Sequence, residues 1–259
     1  MMGAQPEARL LRVLLSALLL GAFGCAEGEA ALDGLGGLGG LGGSGGGSGG
    51  SSGAGGAQGS GGAKPGPEAC SDPAAVFVVS VRDHAFGPGQ DVGQDQFPEL
   101  VLGPPQGAGE AAGSTNQVVS LGDGGFVELA FGDRGIVDGA GADFIVFENA
   151  FLVSGDPENP YAELGVVSVS QDGMDWVAFP CTAREYPYGS CAGWHPVLAN
   201  AESNSLDPTD PEAAGGDAFD LAELDLPWAR YVRIDDVLDD KQLTFDLDAV
   251  ALVHPGCFE

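Results

Sequence analysis

The sequence predicts an all-β fold, a single β-sandwich of about eight strands behind a glycine-rich linker. Three observations predict it. Nearly every apolar segment is short, β-branched and bounded by Gly, Pro, Asn or Asp, the pattern of strands separated by turns. No segment sustains a helical period beyond two turns; only DAFDLAEL (217–224) has the spacing for one helical turn. Lastly, VVSVSQDGMDWVAF (166–179) reads as two strands meeting across an Asp172-Gly173 turn, because glycine accepts a positive φ at little cost.

In chain order the predicted strands are AVFVVSV (75–81), QVVSL (117–121), FVELAF (126–131), DFIVFEN (143–149), GVVSVS (165–170), WVAF (176–179), ARYVRI (229–234) and LTFDLDAVALV (243–253). Trp176 is expected in or beside the core. Trp228, just before a strand, reads as a core plug. Between Pro180 and Asp217 the pattern dissolves into Pro, Asn, Ser and acidic residues, too long for a routine connection. That stretch is either a binding loop or a surface insertion, ordered in part through Trp194 and Pro196.

The amino terminus reads as an export signal. Arg9 and Arg12 precede an uncharged run, Val13–Phe23, and Ala22-Phe23-Gly24-Cys25 follows with small residues before a cysteine, in the manner of a bacterial lipobox. An apolar run of about eleven residues is too short for a bilayer, which needs about twenty. The expectation is cleavage before Cys25 and acylation of that residue. Ala26 lacks the aspartate associated with inner-membrane retention, so the expected location is the outer membrane, with the head periplasmic or surface-exposed. The expected organisation is a lipoprotein signal over 1–24, the lipidated Cys25 and a Gly/Ser-rich tether over 25–69, and one domain over 70–259. The tether composition, GLGGLGGLGGSGGGSGG onward, offers almost no side chains to bury. A coil of some forty such residues spans roughly 35 Å.

The chain carries 9 basic and 38 acidic residues, a net charge of -29. Loss of the signal, which holds Arg9, Arg12 and Glu7, makes it one unit more negative. Such charge argues against nucleic acid or anionic lipid as a partner. It suits divalent cations, basic partners or plain solubility.

Of five cysteines, lipid takes Cys25 and leaves an even set in an oxidising compartment. Three pairings are open. The expected bonds are Cys181–Cys191, closing CTAREYPYGSC, and Cys70–Cys257, tying the domain's ends together. By the loop-length model these contribute about 3 and roughly 5 kcal/mol. No Cys-x-x-Cys spacing supports metal ligation instead.

Acids recur beside strands, and calcium takes hard oxygens. Asp246 and Asp248 are two apart in a strand and so share a face, and Glu148 falls within an otherwise buried run. A bare buried carboxylate is costly. One structural calcium site is therefore expected among Asp143, Glu148, Asp217, Asp246 and Asp248. The competing readings pair these acids with Arg134, Arg230 and Arg233, or leave them in solvent. No calcium-loop spacing of the helix-loop-helix kind is present.

No catalytic residue is assigned. Gly-x-Ser-x-Gly is absent, and nothing in the spacing selects a carboxylate pair. Among the three histidines, His254 reads as structural and His195 as the one in a ligand position. Exposed rings stack on sugars and dock proteins, which makes Tyr186, Tyr188 and Trp194 the candidate ligand contacts.

Several fragments resemble a known family. GVVSVSQDGMDWVAF (165–179), Ala229–Ile234, and Val118–Gly122 followed by Phe126–Leu129 are similar to discoidin-type, galactose-binding-like jelly rolls. VLGPP (101–105), VVSLGDGG (118–125), GADFIVFENAF (141–151) and FDLDAVALV (245–253) resemble bacterial secreted and surface lipoproteins often labelled "cell surface protein". The resemblance covers most of Val79 to Val253. It implies a jelly-roll β-sandwich and a surface location, and no established activity. Carbohydrate binding follows only by fold analogy. The expected function is a lipid-anchored module that binds a glycan, envelope component or surface protein. A structural surface or matrix protein without a small ligand is the alternative, and a hydrolase on the same scaffold is a third.

Overall fold

The structure is a computed structural model and describes residues 68–69, 75–111, 116–238 and 243–258. These belong to one compact unit, Ser60–Glu259. The expected signal, Cys25, most of the expected tether and Cys70 lie outside the described residues.

The described elements are almost all strands. In chain order they are β1 (Glu68–Ala69), β2 (Ser80–Ala85), β3 (Val119–Ser120), β4 (Phe126–Ala130), β5 (Arg134–Val137), β6 (Phe144–Glu148), β7 (Phe151–Leu152), β8 (Pro160–Tyr161), β9 (Gly165–Ser170), β10 (Trp176–Ala178), β11 (Asp217–Phe219), β12 (Trp228–Ala229), β13 (Tyr231–Asp236), β14 (Asp246–Leu252) and β15 (Pro255–Cys257). The one helical turn expected in DAFDLAEL is a short 3-10 turn, Leu221–Leu224, capped by the Asp220 carboxylate, which accepts from Ala222 N–H.

Two sheets make the sandwich. A five-stranded sheet runs β10-β9-β13-β4-β2 and a four-stranded sheet runs β11-β6-β14-β3. Every pairing within them is antiparallel. Apart from the β9–β10 hairpin, successive strands of the two sheets cross from one to the other, β4 to β6 to β9 to β11 to β13 to β14, as a jelly roll does. Between the sheets lie Val127, Leu129, Val167, Val169, Val232 and Ile234 from one side, and Phe144, Val146, Phe219, Val250 and Leu252 from the other.

The four-stranded sheet is covered on its outer face as well. Ile145, Phe147, Ala249 and Ala251 pack there against Val197, Ala199 and Ala214. This is why β6 reads as an unbroken apolar run rather than an alternating one. The long segment after Pro180 is thus no loose excursion: its middle is a lid on the sheet, stitched by a Val197–Gly215 bridge and by Leu198 and Ala199 N–H donating to Ala214 O.

The outer face of the five-stranded sheet carries a ladder of paired charges instead. Glu128 accepts from Arg82 at 3.3 Å and from Arg233 at 3.0 Å, while Arg233 also grips Asp235 at 2.6 and 2.8 Å. The Arg82 and Arg233 guanidiniums lie over the Tyr231 and Phe126 rings at 4.1 and 3.8 Å.

A third sheet, β1-β15-β5-β12, brings the two ends of the domain side by side, with Glu68 opposite Cys257. Cys257 is disulfide-bonded. Its expected partner Cys70 lies outside the described residues. The other expected disulfide, Cys181–Cys191, is present.

Several expectations shift. Residues 75–79 form only an isolated bridge at Phe77, and the strand starts at Ser80. β5, β11 and β15 were not anticipated, because each is only three or four residues long and rich in Gly, Asp or Pro. The β9–β10 turn spans five residues, since Ser170 faces Trp176. Asp172 organises it by accepting from Met174 and Asp175 N–H, and Gly173 takes φ 76°. Trp176 ends half-buried beside the core. Trp228 is buried, with its ring 5.0 Å from that of Phe258.

Phe144 stacks on Phe219 at 5.2 Å and packs edge-on to Phe179 at 5.9 Å in the centre of the sandwich. Phe144→Ala is expected to cost about 3–5 kcal/mol of unfolding free energy, measured by denaturant melts.

Candidate functional site

One large cleft opens where the lid meets the disulfide loop. It has a volume of about 750 Å³, within the usual size range of ligand sites. Its walls include Tyr186, Trp194 and His195 from the disulfide loop and its exit, Asp217 and Phe219 from β11, and the carboxylates Glu110, Glu212 and Glu223. No lysine or arginine is among its lining residues.

Asp217 builds this wall. It is almost fully buried, and its Oδ2 accepts from Gly193 N–H at 2.7 Å and Trp194 N–H at 3.2 Å. Its Oδ1 meets His195 Nδ1 at 2.7 Å. Gly193 is obligatory at this corner: it has φ 91°, and a Cβ would stand 2.0 Å from the Glu163 carbonyl oxygen. The disulfide-loop backbone is therefore clamped to β11 by one carboxylate, and two rings are presented from it. Trp194 Nε1 donates to Cys191 O, fixing the indole, and its ring lies 3.6 Å from that of His195.

Of the three expected ligand aromatics, Tyr186 and Trp194 line the cleft. Tyr188 does not line it. It packs edge-on against both, at 6.5 and 6.0 Å, and leans on the Cys181–Cys191 cluster with Val237. It is a buttress for the other two. Ser190, also on the wall, donates to Glu223 at 3.1 Å.

The five expected calcium ligands do not assemble into one site. Asp143 is buried and fully engaged by protein donors: Gly139 N–H at 2.7 Å, Leu221 N–H at 2.7 Å and His254 Nδ1 at 2.8 Å. Asp217 holds the cleft wall. Asp248 accepts from Gln106 N–H with both oxygens, at 3.1 and 2.9 Å. The expectation that Asp246 and Asp248 share a face fails because a β-bulge between Leu247 and Ala249 resets the alternation. Leu247 accordingly faces the inter-sheet core while Ala249 faces the lid. The arginine pairing fails too: Arg233 serves Glu128 and Asp235, Arg134 meets Asp133, and Arg230 donates to Gly132 O. Backbone N–H groups, invisible in a pattern of side chains, satisfy three of the five acids.

Glu148 and Asp246 stand apart. Glu148 is buried with no partner beyond a weak contact from its neighbour Asn149 N–H, and Asp246 leaves Oδ1 unpartnered while Ser120 meets the same carboxyl. Burial first, then the neighbouring Glu163 and Asp246 carboxylates, push the Glu148 pKa well above its ordinary value. Burial, then Asp246, raises Glu163 to about 8. Burial, then Asp91 and Asp236, raises Asp246 to about 6. Sequence reading missed Glu163, because it falls in an irregular stretch outside any predicted strand. A further acidic group, Asp138, Asp143 and Asp220, brings one oxygen of each within 4.8 Å. The oxygens of its buried member are already occupied by the donors above.

Burial alone lifts Asp248 from 3.8 to about 7, opposed by its backbone hydrogen bonds. A carboxyl whose folded pKa exceeds its unfolded one stabilises the fold below both values and loses that contribution as pH rises between them. Asp248→Asn keeps an acceptor for Gln106 without the charge. Its melting temperature is expected to gain on wild type as pH rises from about 4 to about 7. A constant difference across that window would contradict the assignment.

No family model and no curated protein matches the chain. Among solved structures, one similar chain is a pectin-binding carbohydrate-binding module, 13% identical, with a TM-score of 0.33 over 68% of this chain and 91% of that one. At that level of similarity the likeness carries no functional weight.

Proposed function

We propose that the domain is a non-catalytic binding module that takes a glycan into the cleft between the disulfide loop and the lid, and that lipid on Cys25 holds it at the outer membrane. The observation that carries the binding reading is the pairing of two oriented rings, Tyr186 and Trp194, with the acceptor carboxylates Glu110, Glu212 and Glu223 in one cleft. Rings present faces to the C–H side of a sugar, and carboxylates accept from its hydroxyls. Tyr186 is 43% exposed, available for contact without rearrangement.

The charge of the cleft narrows the ligand. With the carboxylates Glu110, Glu212, Asp217 and Glu223 and no lysine or arginine on its walls, it repels uronates and sulfated sugars and favours neutral or amine-bearing ones. The anchor reading rests on Arg9, Arg12, the apolar run to Phe23 and Cys25. The same reading keeps calcium as a structural ion of the domain, outside the ligand contact.

On a glycan array the full chain is expected to bind neutral or amino sugars over polyuronates. Trp194→Ala and Tyr186→Ala should each weaken that signal about tenfold or more, the effect of losing a contact worth ~1.4 kcal/mol. Silence across the array, or binding indifferent to both substitutions, would favour the structural surface protein instead. For the anchor, metabolic palmitate should label the wild-type chain and not Cys25→Ser; equal labelling of the two would end that part of the reading.

A further inference from the structure

His195 is fixed from several sides, yet one of its ring nitrogens serves nothing in the protein. The backbone before it is pinned where Gly193 and Trp194 N–H donate to Asp217 Oδ2, and after it where Pro196 O accepts from Gly216 N–H. The Trp194 ring backs the imidazole at 3.6 Å. On the other side, Nδ1 meets Asp217 Oδ1 at 2.7 Å. Asp217 is buried and its second oxygen already accepts two N–H groups, so this carboxylate acts as an acceptor throughout and Nδ1 carries the hydrogen. The neutral ring then has its lone pair on Nε2. That atom has no partner among the described residues, and the side chain, 48% exposed, lines the cleft.

The rest of the wall has the same polarity. Trp194 Nε1–H is spent on Cys191 O, and Ser190 O–H on Glu223. The ionised carboxylates Glu110, Glu212 and Glu223 only accept. With no lysine or arginine present, the Tyr186 hydroxyl is the one side-chain donor left among the described lining residues. A ligand that satisfies such a wall brings its own hydrogens.

We infer that His195 is the specificity contact of the cleft: its Nε2 accepts a hydrogen bond from a free hydroxyl or ammonium group of the bound sugar. Asp217 is the positioning residue that keeps the lone pair on that atom. The inference rests on the glycan reading of the cleft and narrows it. An ether or ester oxygen has no hydrogen to give, so a sugar methylated or acylated at that position is refused while the unsubstituted sugar is held. Loss of a hydrogen-bonding partner discriminates more sharply than loss of an apolar contact of similar size.

Calorimetric titration of the full chain at about pH 8, where imidazole is ordinarily neutral, tests this. The probes are cellotriose, xylotriose, mannotriose and the free-amine glucosamine trimer, followed by mono-O-methyl ethers of the tightest binder. One ether is expected to bind wild type about tenfold or more weakly than its parent. His195→Asn keeps a donor for Asp217 but ends short of the cleft. It should lose about tenfold for the parent sugar and bind parent and ether alike, closing a thermodynamic cycle on Nε2. Asp217→Asn can still accept from Gly193 and Trp194 N–H but donates to Nδ1, which moves the ring hydrogen to Nε2. This variant should also lose the preference for the parent, and it serves alone if His195→Asn fails to fold by circular dichroism. Nitrogen NMR of the wild type should find the His195 hydrogen on Nδ1. A hydrogen on Nε2, or His195→Asn binding and discriminating like wild type while Trp194→Ala loses the sugar, overturns the inference and leaves the cleft reading intact. No binding of any probe by wild type overturns both.

Discussion

Everything in this domain follows from one constraint: the sheet built on β6 and β14 is buried on both faces. One face meets the opposite sheet and the other meets the lid. Acids placed on such strands or at their ends cannot turn to water, so each must be satisfied from within the protein or by an ion. Asp143 solves this by gathering Gly139 N–H, the Leu221 N–H that opens the 3-10 turn, and His254. Asp217 solves it by clamping the disulfide loop, and Asp248 by holding the Gln106 backbone N–H. Loops are fixed here by carboxylates that have no alternative partner.

That logic explains how the cleft gets its shape. Tyr186 and Trp194 are not on strands, yet their backbone is tied to β11 through Asp217 and to its own far end through Cys181–Cys191. Tyr188 fills the space behind them. Preorganised rings lose little freedom when a ligand arrives, which is where rigid recognition surfaces gain over mobile ones. The opposite sheet takes no part: its outer face is closed by the Arg82–Glu128–Arg233 ladder.

The sandwich was legible in the sequence because its long strands announce themselves by β-branched runs, as GVVSVS and DAVALV do. The short strands were not, because residues such as Arg134–Val137 or Pro255–Cys257 owe their extended state to neighbours rather than to their own preference. Tyr186 and Trp194 stand out in the sequence as aromatic rings that fall outside the strands. The fate of the acids was only half legible. Sequence shows that Glu148 is buried, but not that Asp143 and Asp248 meet backbone N–H groups, since those donors carry no side-chain signature. The bulge after Leu247 had no signal either: it inverts the facing of Asp248 without any glycine or proline to mark it.

The Cys181–Cys191 bond is bordered by Val237, Leu164, Val166 and Tyr188 rather than by the inter-sheet core. Loss of this one bond would accordingly slacken the rim that carries the aromatic rings before it reached the core between the sheets.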